Sequence, residues 1–247
     1  MQDRPHAPLL EVCVDDPAGL SAAIAGGADR IELCAALSLG GMTPPPGLIR
    51  QASRIALPVC AMIRPRAGGF VYDDSEVDAA LSDIAAIRAA GLAGIVTGAT
   101  HADGRLDVET IARFRDAAAG MELVIHRAFD LSPDLEETLE QVIGLGACRV
   151  LTSGGASSAP EGVDMIGKLA TQARGRITIM AGGGVRPENA AMLLRAGALD
   201  LHSSCSSVLP DQEVATKINI VASRPQTMAD NVRALRAALH AAREEMA

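Results

Sequence analysis

Aromatic residues are nearly missing from this chain, whose 247 residues include no Trp, one Tyr and three Phe. A core built without them must come from Ala, Val, Ile and Leu, the mix that parallel strands and their covering helices pack from. The same lack removes any platform for stacking bases, and a formal net charge of −8 removes the basic face that nucleic acid requires. Lysine is scarce as well. Lys168 and Lys217 stand against 20 arginines and neither ends an apolar run, which argues against an aldolase working through a desolvated Schiff-base lysine. No stretch reaches the roughly 18 apolar residues of a membrane span, and the opening MQDRPHAPLLEVCVDD meets acids too early for a signal peptide. The expectation is a cytoplasmic protein without membrane or nucleic-acid partners. Five cysteines, at 13, 34, 60, 148 and 205, are odd in number and lack CxxC spacing, as reduced thiols do and disulfide frameworks or structural zinc sites do not.

What the chain does contain is a repeated unit. Eight apolar, strand-like runs begin near residues 9, 29, 58, 94, 122, 149, 176 and 199, about 27 residues apart on average, with a helical pattern between each pair. Asp16-Pro17, Ser132-Pro133 and Arg186-Pro187 mark helix starts, and Gly26, Gly91, Gly120, Gly146 and Gly197 mark ends. GGADRIEL, GLAGIVTG, GACRVLTS and GALDLHSS lead into every second strand, a two-unit period suited to the alternating interior layers of a closed barrel. The rival open dinucleotide-binding sheet places GxGxxG after its first strand; here VDDPAG follows, and no organic cofactor is expected. The expected fold is α/β, a single (β/α)8 TIM-type barrel over residues 1–247, in which 206–247 forms a divergent loop and a last helix starting at Thr227.

In such a barrel the carboxyl ends of the strands carry the site. Polar residues crowd there: Cys13, Glu32, Cys34, Arg64, Arg66, His126, Arg127, Asp130, His202 and Ser204. Glu11 and Glu32 fall on adjacent strands and would form a carboxylate pair for proton transfer, compensated by Arg64, Arg66 or Arg127. His126 and Asp130 would lie about 13 Å apart on a straight strand, so they pair only if the chain curls. AGGGVRPEN, with Gly182, Gly183 and Gly184, and the loop after strand eight, with His202, Ser203 and Ser204, occupy the usual phosphate position of these barrels, and Thr152 and Ser153 offer further donors. The plain alternatives are a stabilising ring of ion pairs and tight turns. Cys13, Cys34 and Cys205 come late in strands one, two and eight, neighbours once a barrel closes, and with Met42 or His202 nearby they suit Cu(I). A small buried hydrophobe is the ordinary reading of any one of them. Cys60 and Cys148, at the other strand ends, read as packing.

Taken together, RIELCAALSLGGMTP, MIRPRAGGF, IHRAFD, RVLTSGG, IMAGGGVRPEN and LHSS resemble the CutC copper-homeostasis family, in order and at similar spacing from Leu9 to Ser204. The resemblance implies a (β/α)8-like barrel, a homo-oligomer in the cytoplasm, and Cu(I) binding that maps onto Cys13 and Cys34. Leu39 departs from the family's usual acid, and the chain beyond Ser204 looks unlike the family, with Cys205 in place of a small residue. The shared Arg, His and Asp residues suit a small anion better than Cu(I), so two functions stay open. One is copper handling. The other is an isomerase or lyase moving a proton on a small phosphorylated or carboxylated metabolite.

Overall fold

A computed structural model describes residues 7–210 and 223–246. Its strands are β1 (Leu10–Val14), β2 (Arg30–Leu33), β3 (Val59–Met62), β4 (Gly94–Thr97), β5 (Glu122–Ile125), β6 (Arg149–Thr152), β7 (Thr178–Gly182) and β8 (Asp200–Ser203). They pair in parallel in chain order, and β8 returns to β1 to close the barrel. The covering helices are α1 (Pro17–Gly26), α2 (Pro46–Ala52), α3 (Asp74–Ala89), α4 (Val108–Ala117), α5 (Leu135–Gly144), α6 (Val163–Ala173), α7 (Pro187–Ala196) and α8 (Ala229–Met246). The expected (β/α)8 architecture is therefore present.

Period-two alternation sorts the strand residues into two layers. Leu10, Val12, Val14, Ile31, Leu33 and Ile95 face the helices, and burying each such aliphatic chain contributes roughly 1.5–3 kcal/mol. The inward residues Cys60, Met62, Val96, Val124, Leu151 and Met180 make a separate apolar cluster inside the barrel. On β8, β1 and β2 the inward positions are instead Asp200, His202, Glu11, Cys13, Arg30 and Glu32, all buried. That sector is mainly polar, whereas on the other strands the buried inward charge is Arg149 of β6, bonded to Cys60 Sγ at 3.3 Å.

Helix starts follow side-chain caps more closely than prolines. Asp16 accepts from the Gly19 amide ahead of α1, with Pro17 in the first turn as expected. At α5 the cap is Asp134, which accepts from the Glu136 and Glu137 amides, so Pro133 lies outside the helix. The left-handed residue ending α1 is Gly27, at φ 86°, while Gly26 is the place where α8 approaches: a Cβ there would sit 2.4 Å from that of Val232.

The region after β8 differs from the expected loop. β9 (Ser206–Pro210) and β10 (Ser223–Thr227) form an antiparallel hairpin, and residues 211–222 of the expected loop lie outside the described residues. Thr227 is the last residue of β10, so α8 begins two residues later than its capping pattern suggested. Its Val232, Leu235 and Leu239 are buried, as their spacing predicts.

Candidate functional site

A cavity of about 930 Å³ opens at the carboxyl ends of the strands, with the β9–β10 hairpin on its rim. Its floor is built by strand register. Glu11 lies level with Arg30 on one side and His202 on the other, and Cys13 lies level with Glu32. Arg30 Nε donates to Glu11 Oε2 at 2.5 Å and its Nη2 to Asp200 Oδ2 at 2.8 Å. Glu11 Oε1 meets His202 Nδ1 at 3.0 Å, and His202 Nε2 stands 3.3 Å from Glu32 Oε2. A Cys13 sulfur, a Glu32 oxygen and a His202 nitrogen all lie within 4.8 Å of one another.

The charge compensating Glu11 thus comes from Arg30, and not from Arg64, Arg66 or Arg127. Sequence reasoning passed over Arg30 and Asp200. The signal was available in their spacing, since Arg30 is two residues before Glu32 and Asp200 two before His202, hence on the same inward face.

The electrostatics follow from these neighbours. Burial pushes the Glu11 carboxyl up, but Arg30 and His202 outweigh it and hold the group at about 2. Glu32 has no arginine; burial and the Glu11 charge together raise it to about 7 in spite of His202. Burial opposes a proton on His202, yet Cys13, Glu32 and Glu11 raise it well above its ordinary value. Burial lifts the thiols of Cys13 and Cys34, with Glu32 adding to the rise at Cys34.

The β3–β5 side is built differently. Arg64 donates to the carbonyls of Leu39, Gly41 and Gly68 at 2.9, 2.9 and 2.6 Å. The Leu39 side chain is exposed, so its contact with Arg64 runs through the backbone carbonyl alone. The Arg64 guanidinium carbon lies 5.0 Å from the centroid of Phe70, whose ring centroid is 4.8 Å from that of His126. His126 Nδ1 accepts from the Ala128 amide at 3.1 Å and starts the 3₁₀ turn Arg127–Leu131. His126 rests over Gly98, where a Cβ would fall 2.7 Å from its Cε1. Burial, reinforced by Arg64, lowers its pKa to about 4. Among the described residues, Glu32 Oε1, Arg64 Nε and His126 Nε2 are buried without a hydrogen-bond partner, and all three residues line the cavity.

The remaining candidates divide. The 3₁₀ turn does curl the chain, but Asp130 is drawn to Arg127 Nε, Thr152 Oγ1 and the Ser153 and Gly155 amides, so it anchors the β5 and β6 loops to each other. Arg127 Nη2 also donates to Ser153 Oγ. Gly182 faces inward, where a Cβ would meet Leu151 at 2.4 Å, and only Gly183 and Gly184 reach the cavity with Ser203 and Ser204. Ser203 Oγ is bonded to Val185 O, and Ser204 Oγ to Ser206 Oγ. Arg66 turns outward, half-exposed, to Glu76 and does not line the cavity. Cys205, at φ 47°, lines the cavity but stands outside the Cys13–Glu32–His202 group. Cys34 adjoins the group through a side-chain hydrogen bond with Glu32 and lines the cavity.

Comparison with known proteins agrees with this architecture. The CutC family model matches residues 8–207. A CutC family protein of Sinorhizobium medicae is 52% identical over 236 residues, covering 94% of this chain and 96% of its own length. One from Caulobacter vibrioides is 48% identical over 230 residues, covering 93% and 94%. Among solved structures, that of the candidate copper homeostasis protein CutC of Streptococcus agalactiae superposes with a TM-score of 0.76 at 32% identity, covering 80% of this chain and 98% of its own. With the motif order, the barrel and these matches in agreement, the chain belongs to the CutC family.

Proposed function

We propose that this chain is a cytoplasmic copper-homeostasis protein that binds one Cu(I) ion as cargo, through Cys13 and His202 with Cys34 as the adjoining thiol. The observation that carries the reading is the meeting of Cys13, Glu32 and His202 ligand atoms within 4.8 Å at the β8–β1–β2 floor. Thiolate and neutral imidazole are donors that suit Cu(I), so an arriving ion displaces the protons that Cys13 and His202 hold, and its positive charge stabilises the Glu32 carboxylate beside them. Behind the site, Asp200 and Glu11 hold Arg30, and Glu11 in turn accepts from His202 Nδ1, which leaves Nε2 turned toward Cys13 and Glu32. A carboxylate behind a histidine is the ordinary means of fixing its ring for a metal. The free state of all five cysteines fits a reducing compartment, and the relative from Streptococcus agalactiae is associated by name with copper homeostasis.

The test is a Cu(I) titration of the reduced protein against a competing chelator, beside Cys13→Ser/Cys34→Ser and His202→Gln. One tightly held Cu(I) per chain, lost in both variants, is expected. Equal binding in the double variant, or preference for Zn(II) over Cu(I) at the same group, would remove the copper assignment.

A further inference from the structure

Cys34 and Cys60 are both 0% exposed, but for different reasons. Cys60 lies within β3, paired on one side with β2 and on the other with β4. Cys34 stands one residue past β2, in the wall of the cavity, and a loop covers it. A Cβ on Gly41, at φ 82°, would fall 3.2 Å from Cys34 Sγ and 3.5 Å from Met62 Cε, so the loop backbone lies directly on the thiol.

The loop is a strap of residues 36–41, closed at its base by the antiparallel bridge between Ala35 and Met42, whose two hydrogen bonds are each 2.8 Å. Its middle is the 3₁₀ turn Leu37–Leu39. Among the described residues three hydrogen bonds tie it to the barrel. The Leu37 amide donates to Asp15 Oδ2 at 2.9 Å, and Arg64 Nη1 donates to the Leu39 and Gly41 carbonyls at 2.9 Å each. Leu37 packs, partly buried, on the apolar cluster that holds Cys34 and Met62, whereas Leu39 is 53% exposed. Ala36 is held left-handed at φ 49°, a conformation that the sterics of its Cβ disfavour. Few apolar contacts, a strained entry and separable ties mark a segment that opens before the rest of the fold.

We infer that the strap 36–41 is a gate over Cys34, which lifts within the native barrel when the Asp15 and Arg64 ties release and bares the thiol to the cavity. Its purpose rests on the copper reading, in which Cys13, 7% exposed, meets the ion first and Cys34 joins once the strap has moved. The movement itself is tested without metal, so its failure would leave the Cys13–His202 group standing.

The experiment labels the reduced, metal-free chain with iodoacetamide at several urea concentrations below the unfolding midpoint and reads each cysteine by peptide mass spectrometry. Cys34 is expected to react at least about tenfold faster than Cys60, at a rate nearly independent of urea. Lifting the strap exposes little surface, whereas Cys60 waits for global unfolding. Arg64→Met removes two ties and should speed Cys34 about tenfold or more. Asp15→Ala removes the third without disturbing a buried cation and should speed it about fivefold. Ala36→Gly relieves the left-handed residue of the closed strap and should slow it about threefold. Cys60, read in the same samples, reports any change in global stability. One shared rate and urea dependence for Cys34 and Cys60, or a Cys34 rate unmoved by Asp15→Ala and Ala36→Gly alike, would overturn the gate.

Discussion

Two buried histidines face one cavity and have their proton affinities shifted in opposite directions. Desolvation favours the neutral ring in both, yet His202 binds a proton far more readily than a free imidazole and His126 far less. Glu11, Glu32 and Cys13 surround the first, whereas Arg64 and Phe70 stand beside the second. Burial sets the stakes, and the sign of the nearest charge decides the outcome. The barrel thereby favours a proton on the imidazole among acids on the β8–β1–β2 floor and disfavours one on the imidazole beside a cation on the β3–β5 side.

The strongest way to break this contrast is to remove the cation beneath His202. Arg30→Met strands Glu11 and Asp200 in the interior, and a loss of roughly 3–5 kcal/mol, or failure to fold, is expected by denaturant titration. Milder acid tests the other histidine. As pH falls from 6.5 toward 4 the unfolded chain takes up a proton that native His126 refuses, so stability declines through that window and rises again with pH. The decline attributable to this residue approaches about 3 kcal/mol, and His126→Phe should abolish that share in denaturation midpoints taken across the same pH range. Glu11→Gln keeps the shape behind His202 and removes its charge. A weakening of Cu(I) affinity by roughly 10–100-fold is expected in chelator competition. At the small end, Arg66→Ala lies outside the cavity, so its Cu(I) affinity should match the parent chain, while loss of the half-exposed Glu76 pair and of the contacts to the Gly69 and Val71 carbonyls lowers Tm slightly.

The strands were the legible part of the sequence, because apolar β-runs are a local signal that recurs eight times. The residues of the site were legible as a set of strand-end polar groups, but their partners were not. Glu11 was visible as an acid in need of a cation; that Arg30 answers it depends on which residue of β2 lies level with Glu11, and no local pattern states an inter-strand register. Asp130 likewise looked like a member of an active site, and its role in tying Arg127 to Ser153 appears only when the β5 and β6 loops are set side by side. His202 was read first as an anion-binding residue, and its pairing with Glu11 and Glu32 turns it toward the metal reading. The hairpin β9–β10 was missed because its strands, SSVLP and SRPQT, lack the apolar alternation by which a half-buried strand is recognised.

The Glu11–His202 contact joins residues 191 positions apart, across the seam where the last barrel strand meets the first. During synthesis, β1 leaves the ribosome long before β8 exists, and for that interval Cys13 has neither its histidine nor a closed wall around it. The cluster therefore assembles in the same event that shuts the cylinder, with α8 then packing across α1 and α7. A nascent or truncated barrel carries the thiols without their partners, so the meeting of Cys13, Glu32 and His202 exists only in chains whose barrel has closed.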